Sequence, residues 1–146
     1  MKKNLLIVDD EPHLVGVLEF MLKGITGKIF SAESGKQAIS ILAENDIHCV
    51  LCDMNLPRMN GIEILREVRA RDISVPFVFF TAEETTESLT EAAKLGAIDF
   101  LLKPHFQGLE KAVQAGLESL PYSPLPDSIY GKVLLKLSLD LDGNDP

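Results

Sequence analysis

Leu5-Leu6-Ile7-Val8-Asp9-Asp10 sets four consecutive apolar side chains directly before two carboxylates. Four residues are too few for a helix and suit a strand, and a strand that is apolar at every position is one covered on both faces. The same spelling returns along the chain. Cys49-Val50-Leu51-Cys52 runs into Asp53, Phe77-Val78-Phe79-Phe80 into Thr81, and Phe100-Leu101-Leu102 into Lys103, while Ile29-Phe30 makes a shorter run. Five strands are predicted.

Helical spacing fills the intervals. Leu14, Val17, Leu18, Met21 and Leu22 follow the i, i+3, i+4 template, with Pro12 suited to a first turn and Gly24 to a stop. Ser34 can cap a second helix carrying Ala38, Ile41 and Leu42 on one face. Residues 61–71 turn Ile62, Leu65 and Val68 inward beneath an alternating charged face, and residues 86–95 close at Gly96, the residue type that most easily takes the left-handed cap. Leu109, Ala112, Val113, Gly116, Leu117 and Leu120 hold the period of a fifth helix. Strand and helix alternating five times predict an α/β fold, a doubly wound five-stranded parallel sheet with helices on both faces.

The pattern uses residues 1–120, one domain for a chain of 146 residues. Apolar residues at 46% and charged residues at 25% suffice for a core without disulfides. Fourteen Lys and Arg against twenty-two Asp and Glu leave a net charge of −8, which disfavours nucleic-acid phosphates and anionic membranes as partners. Apolar runs fall far short of the ~18–20 residues that span a bilayer, so a cytoplasmic, unprocessed protein is expected. Pro121, Pro124 and Pro126 mark a linker opening an extension over 121–146. There Leu135, Leu137, Leu139 and Leu141 alternate with polar residues, as in one half-buried strand, and a dimerisation arm is one use for it.

Cys49 and Cys52 spell C-x-x-C, but three residues apart on a strand they point to opposite faces, so neither a redox pair nor a zinc half-site is expected. His13, His48 and His105 lack ligand spacing. The polar residues that end the apolar runs are the better candidates, because open parallel sheets bind ligands at the carboxyl ends of their strands. Asp9, Asp10, Asp53, Thr81 and Lys103 would converge there. Three neighbouring carboxylates repel unless a cation intervenes, and magnesium, an oxygen-seeking ion that binds one or two carboxylates beside phosphate oxygens, suits them better than zinc or copper. A lysine and a hydroxyl opposite would serve a phosphoryl group, and one carboxylate could be its covalent acceptor.

Ile7-Val8-Asp9-Asp10-Glu11, the stretch from Asp53 through Pro57 to Gly61, Phe80-Thr81-Ala82 and Leu102-Lys103-Pro104 resemble the receiver domain of bacterial two-component response regulators, the chemotaxis regulator included. The resemblance implies a flavodoxin-like (βα)5 fold with strand order 2-1-3-4-5. It implies that Asp53 is the phosphoacceptor, attacking phosphohistidine on a sensor histidine kinase or phosphotransfer protein. Asp10, Asp53 and the backbone carbonyl of Asn55 would ligate magnesium, or manganese in its place, and Asp9 would hold metal-bound water. Lys103 would pair with the acyl phosphate, while Thr81 and the aromatic Phe100 would switch together and reshape the face of the fourth helix, fifth strand and fifth helix, where a downstream protein binds. Asn55 and Glu83 would tune hydrolysis, giving a phosphorylated state lasting seconds to minutes. A cis Lys103-Pro104 peptide is expected, and His105 stands where the family often has phenylalanine, read as a surface histidine starting a helix.

Such a protein catalyses only its own phosphorylation and dephosphorylation. A magnesium-dependent aspartyl phosphatase would want an aspartate at position 55 as general acid, a flavodoxin-like electron carrier would want Gly, Ser or Thr in place of Asp9-Asp10-Glu11-Pro12, and a phosphorylation-independent binding module would not need Asp53 and Lys103 together.

Overall fold

A computed structural model describes residues 2–82 and 85–123. Ten elements alternate along the chain: β1 (Leu5–Val8), α1 (Pro12–Leu22), β2 (Ile29–Ala32), α2 (Gly35–Glu44), β3 (Cys49–Cys52), α3 (Gly61–Ala70), β4 (Phe77–Thr81), α4 (Thr86–Lys94), β5 (Ala97–Leu102) and α5 (Leu109–Glu118). The strands form one parallel sheet in the order β2-β1-β3-β4-β5. The fold class, the alternation and the strand order are those expected from the sequence.

Apolar strands are buried on both faces for a visible reason. Leu6, Val8, Val50, Cys52, Phe77 and Phe79 face α2, α3 and Ala92 of α4, whereas Leu5, Ile7, Cys49, Leu51, Val78 and Phe80 face α1 and α5. Each strand therefore divides its side chains between two cores, and each fully buried Leu, Val or Phe contributes about 1.5–3 kcal/mol. Phe79 lies between Phe77 and Phe100, with ring centroids 5.8 and 5.7 Å away. Cys49 and Cys52 fall in opposite cores, as their spacing predicts, and burial pushes the Cys49 thiol up to about 12.

Local signals explain the helix starts. Ser34 accepts the Gln37 N–H as cap of α2, and Thr85 accepts the Ser88 N–H at α4. At α3 Asn60 and Glu63 form a reciprocal capping box that the sequence reading passed over. Gly96 closes α4 with φ of 91°. Gly61 is needed for room: a Cβ there would lie 2.8 Å from the Asp53 carbonyl oxygen and 2.8 Å from the Phe79 ring.

Several boundaries differ from expectation. Helix α1 stops at Lys23, whose N–H bonds Glu19, and the Thr26 hydroxyl takes the Leu22 carbonyl, so Gly24 supplies no left-handed stop. Helix α5 ends before Leu120, which is 87% exposed and off the helical stripe. Pro121 disfavours helical backbone at the residue preceding it, and the Ser119 hydroxyl takes the Ala115 carbonyl instead. Strand β5 begins at Ala97, three residues earlier than its apolar run, because it is an edge strand whose Ile98 and Asp99 are exposed. His105 does not start a helix; it lies in the turn between β5 and α5, and Phe106 packs beside Phe80 with ring centroids 5.7 Å apart. The first residues of the expected linker lie against the domain, with the Tyr122 N–H donating to the Ser74 carbonyl at 2.8 Å. Glu83 and the alternating leucines from Leu135 to Leu141 lie outside the described residues.

Candidate functional site

Parallel registry brings the sequence-distant acids together. Val8 pairs with Cys52, so Asp9 and Asp53 leave adjacent strands side by side, each held by its backbone N–H: Asp9 to Ala32 and Asp53 to Val8. Strand β1 lies between β2 and β3, where successive connections pass to opposite faces, and a crevice opens at the carboxyl end. Asp9, Asp10 and Asp53 each offer a carboxylate oxygen within 4.8 Å of the others. Asp9 and Asp53 are buried; Asp10 is exposed at the rim.

Lys103 arrives from the far side of the sheet. Its backbone N–H donates to the Thr81 carbonyl at 2.8 Å, and the peptide to Pro104 is cis. The ammonium then donates to Asp9 Oδ2 at 2.8 Å and Asp53 Oδ2 at 3.0 Å, with its side chain only 11% exposed. The remaining oxygens are also directed. Asp9 Oδ1 accepts the Glu11 N–H and Asp53 Oδ1 accepts the Asn55 N–H, both at 3.0 Å.

Electrostatics follow from this enclosure. Burial raises the Asp9 carboxyl above its usual range, against the opposing pull of the Lys103 hydrogen bond and the Glu11 N–H. Burial alone would depress Lys103, but its bonds to Asp9 and Asp53 outweigh that and hold the ammonium above its ordinary value. One lysine thus faces two buried carboxylates, and the third acid stands at the solvent side. The donor set is entirely oxygen, in excess of the one positive charge, which fits magnesium and not a soft metal.

Thr81 is fully buried at the end of β4, and its Oγ1 accepts a hydrogen bond from Asn55 Nδ2 at 2.8 Å. The sequence does not reveal that contact: the family resemblance gives Asn55 a backbone carbonyl toward magnesium and a part in hydrolysis, and its amide also spans the crevice from the β3 side to the β4 side. Glu11 was also passed over as a site residue, and it stands 3.9 Å from the Lys103 ammonium. Phe100 is not in the crevice. It is half-buried on β5, stacked on Phe79 at an interplanar angle of 10°.

The fold and this crevice define an α/β protein whose chemistry, two buried acids bridged by a lysine beside a third acid and a hydroxyl, sits at the carboxyl edge of a 2-1-3-4-5 sheet. The family model for the response regulator receiver domain matches residues 5–114, so the chain belongs to that family. It is 34% identical over 115 residues to the transcriptional regulatory protein ZraR of Escherichia coli K12, a match covering 78% of this chain and 26% of ZraR. The response regulator SaeR of Staphylococcus aureus is 36% identical over 101 residues, covering 69% of this chain and 44% of SaeR. The chain therefore spans less than half the length of these curated relatives. Among solved structures, the response regulator TrrA of Thermotoga maritima, in complex with magnesium and beryllofluoride, superposes with a TM-score of 0.67 at 26% identity, covering 77% of this chain and 96% of that one. Phosphorylation and magnesium binding are features of this family of two-component signalling domains. Among the described residues, no helix is long and apolar enough to cross a membrane.

Proposed function

We propose that this domain is the phosphoacceptor of a two-component system, with Asp53 taking a phosphoryl group from a phosphohistidine on a sensor kinase or phosphotransfer protein. The observation that carries it is the environment of Asp53: one oxygen held by the Asn55 N–H, the other by the Lys103 ammonium, beside Asp9 and Asp10. An Asp53 oxygen attacks phosphorus, the P–N bond breaks, and the imidazole departs with the electron pair and takes up a proton. Asp10, Asp53 and the Asn55 carbonyl would hold a magnesium ion, with Asp9 beside them, and the ion would supply positive charge to the phosphoryl oxygens. Lys103 orients the acceptor and neutralises the acyl phosphate once it forms.

The switch follows from Thr81. Its hydroxyl oxygen accepts from the Asn55 amide at the end of the strand next to that of Asp53, and a phosphoryl group on Asp53 offers the hydroxyl proton a charged acceptor that draws Thr81 toward it. Movement there reaches α4 through the short connection after β4, and Phe100 on β5 lies beside the same core. Output is binding of a downstream protein at the α4–β5–α5 face, where Ile98 and Leu102 are exposed. Residues 1–120 make up the receiver, and 121–146 an extension that links or dimerises it.

Incubation with labelled acetyl phosphate and magnesium is the test. The label should enter at neutral pH, fail to enter under chelation, and decay over seconds to minutes, the lifetime that the polar residue types of Asn55 and Glu83 imply by the family resemblance. No incorporation would remove the phosphoacceptor function, and a lifetime of many hours would remove the tuning assigned to those two residues.

A further inference from the structure

Tyr122 is the first aromatic residue after α5, and it is built into the domain from four sides. Its N–H donates to Ser74 O at 2.8 Å and its hydroxyl donates to the Lys94 carbonyl at 3.1 Å. Its ring lies 4.5 Å from the Arg69 guanidinium carbon. The seat is cut by Gly96, where an added Cβ would collide with the Tyr122 ring. Arg69 completes the structure by donating to three backbone carbonyls, Leu95 at 2.6 Å, Ile73 at 2.7 Å and Val75 at 2.8 Å. The C-terminal end of α4, the loop before β4 and the chain leaving α5 thus meet at a single stacked pair.

Helix α4 is lightly held elsewhere. Ala92 is its one fully buried residue, and the pair Arg66–Glu91 that joins it to α3 is exposed, of a kind worth little in water. Elements with little buried apolar surface are the ones that move at low cost. The carbonyl that Tyr122 grips, Lys94, is the last residue of α4, so displacement of the helix pulls directly on the segment beyond Ser119.

We propose that Tyr122 is a latch that couples the position of α4 to the chain leaving the domain, docked in the unphosphorylated state and loosened when Asp53 is phosphorylated. This rests on the phospho-switch proposed above. It identifies a second output besides the α4–β5–α5 face, a mechanical one that passes the state of Asp53 to whatever follows Ser123. Because coupling between sites is reciprocal, a latch that opens on phosphorylation opposes it when closed.

The test uses magnesium with beryllofluoride as the phosphoryl mimic on the full chain. Hydrogen exchange of the Tyr122 amide, followed by nuclear magnetic resonance, should accelerate about fivefold on saturation, and Tyr122→Ala should bind beryllofluoride about fivefold more tightly than wild type. If the amides of Asp53 and Thr81 shift on binding while Tyr122 exchange and the affinity of Tyr122→Ala stay unchanged, the latch is wrong and the switch stands. If beryllofluoride does not bind wild type at all, both fall.

Discussion

Lys103→Met is expected to destabilise the fold by about 3–5 kcal/mol at neutral pH, since removing one partner of a buried ion pair leaves its counterpart unpaired. Here two counterparts remain, Asp9 and Asp53, each now short of a donor and facing the other. The direction of the pH dependence follows. Asp9 already holds its proton more tightly when folded, because of burial, and loss of Lys103 removes the interactions that oppose this. The folded variant therefore binds a proton more readily than the unfolded chain, and its deficit shrinks as pH falls through the raised Asp9 value. In wild type the contribution of Lys103 runs in the same direction but in a higher pH window. Its folded-state value is raised, so that contribution is intact at neutral pH and is lost only as pH rises through and beyond the ordinary lysine range. Urea unfolding of both proteins, at about pH 7.5 and about pH 5, should show the gap narrowing in acid. Magnesium should recover part of the lost stability at neutral pH by binding the folded carboxylates. Equal stability of variant and wild type at neutral pH would mean that the Lys103 bonds contribute nothing net.

Much of this was legible because strand interiors and strand ends are local features. Runs such as Leu5 to Val8 and Cys49 to Cys52 are apolar at every position, and parallel registry then fixes where the next residues, Asp9 and Asp53, must emerge. Edge strands were harder. Ile29 and Phe30 announce only half of β2, and the exposed Ile98 and Asp99 hide the start of β5. Helix ends depended on neighbours as well as residue type: Gly96 took its left-handed cap, whereas Gly24 was bypassed when Thr26 satisfied the Leu22 carbonyl. Within the site, identities could be read from the ends of apolar runs but partners could not. Nothing local says that Asn55 reaches Thr81 or that one lysine serves two acids, since those bonds span 26, 50 and 94 residues. The seat of Tyr122 was invisible for the same reason, being assembled from Arg69, Ser74, Lys94 and Gly96.

Asp53→Asn is the substitution with the largest expected functional effect. An amide nitrogen is not a nucleophile toward phosphorus under these conditions, and the amide also removes the negative charge that Lys103 and a magnesium ion share. Asp9 and Asp10 cannot replace it from where they stand: Asp9 is engaged by the Glu11 N–H and the Lys103 ammonium, and Asp10 is at the exposed rim. Loss of incorporation should therefore be complete, not partial. The fold should survive, because the amide oxygen can still accept the Asn55 N–H while the Lys103 ammonium keeps Asp9 as an acceptor.

Intact mass after incubation with acetyl phosphate and magnesium, on wild type and Asp53→Asn, followed by fragmentation to locate the modified residue, puts the central claim to the test most directly. The account predicts one added phosphoryl group on wild type, placed on Asp53, and none on the variant. A phosphoryl group on another residue, or an equal gain by Asp53→Asn, would contradict it.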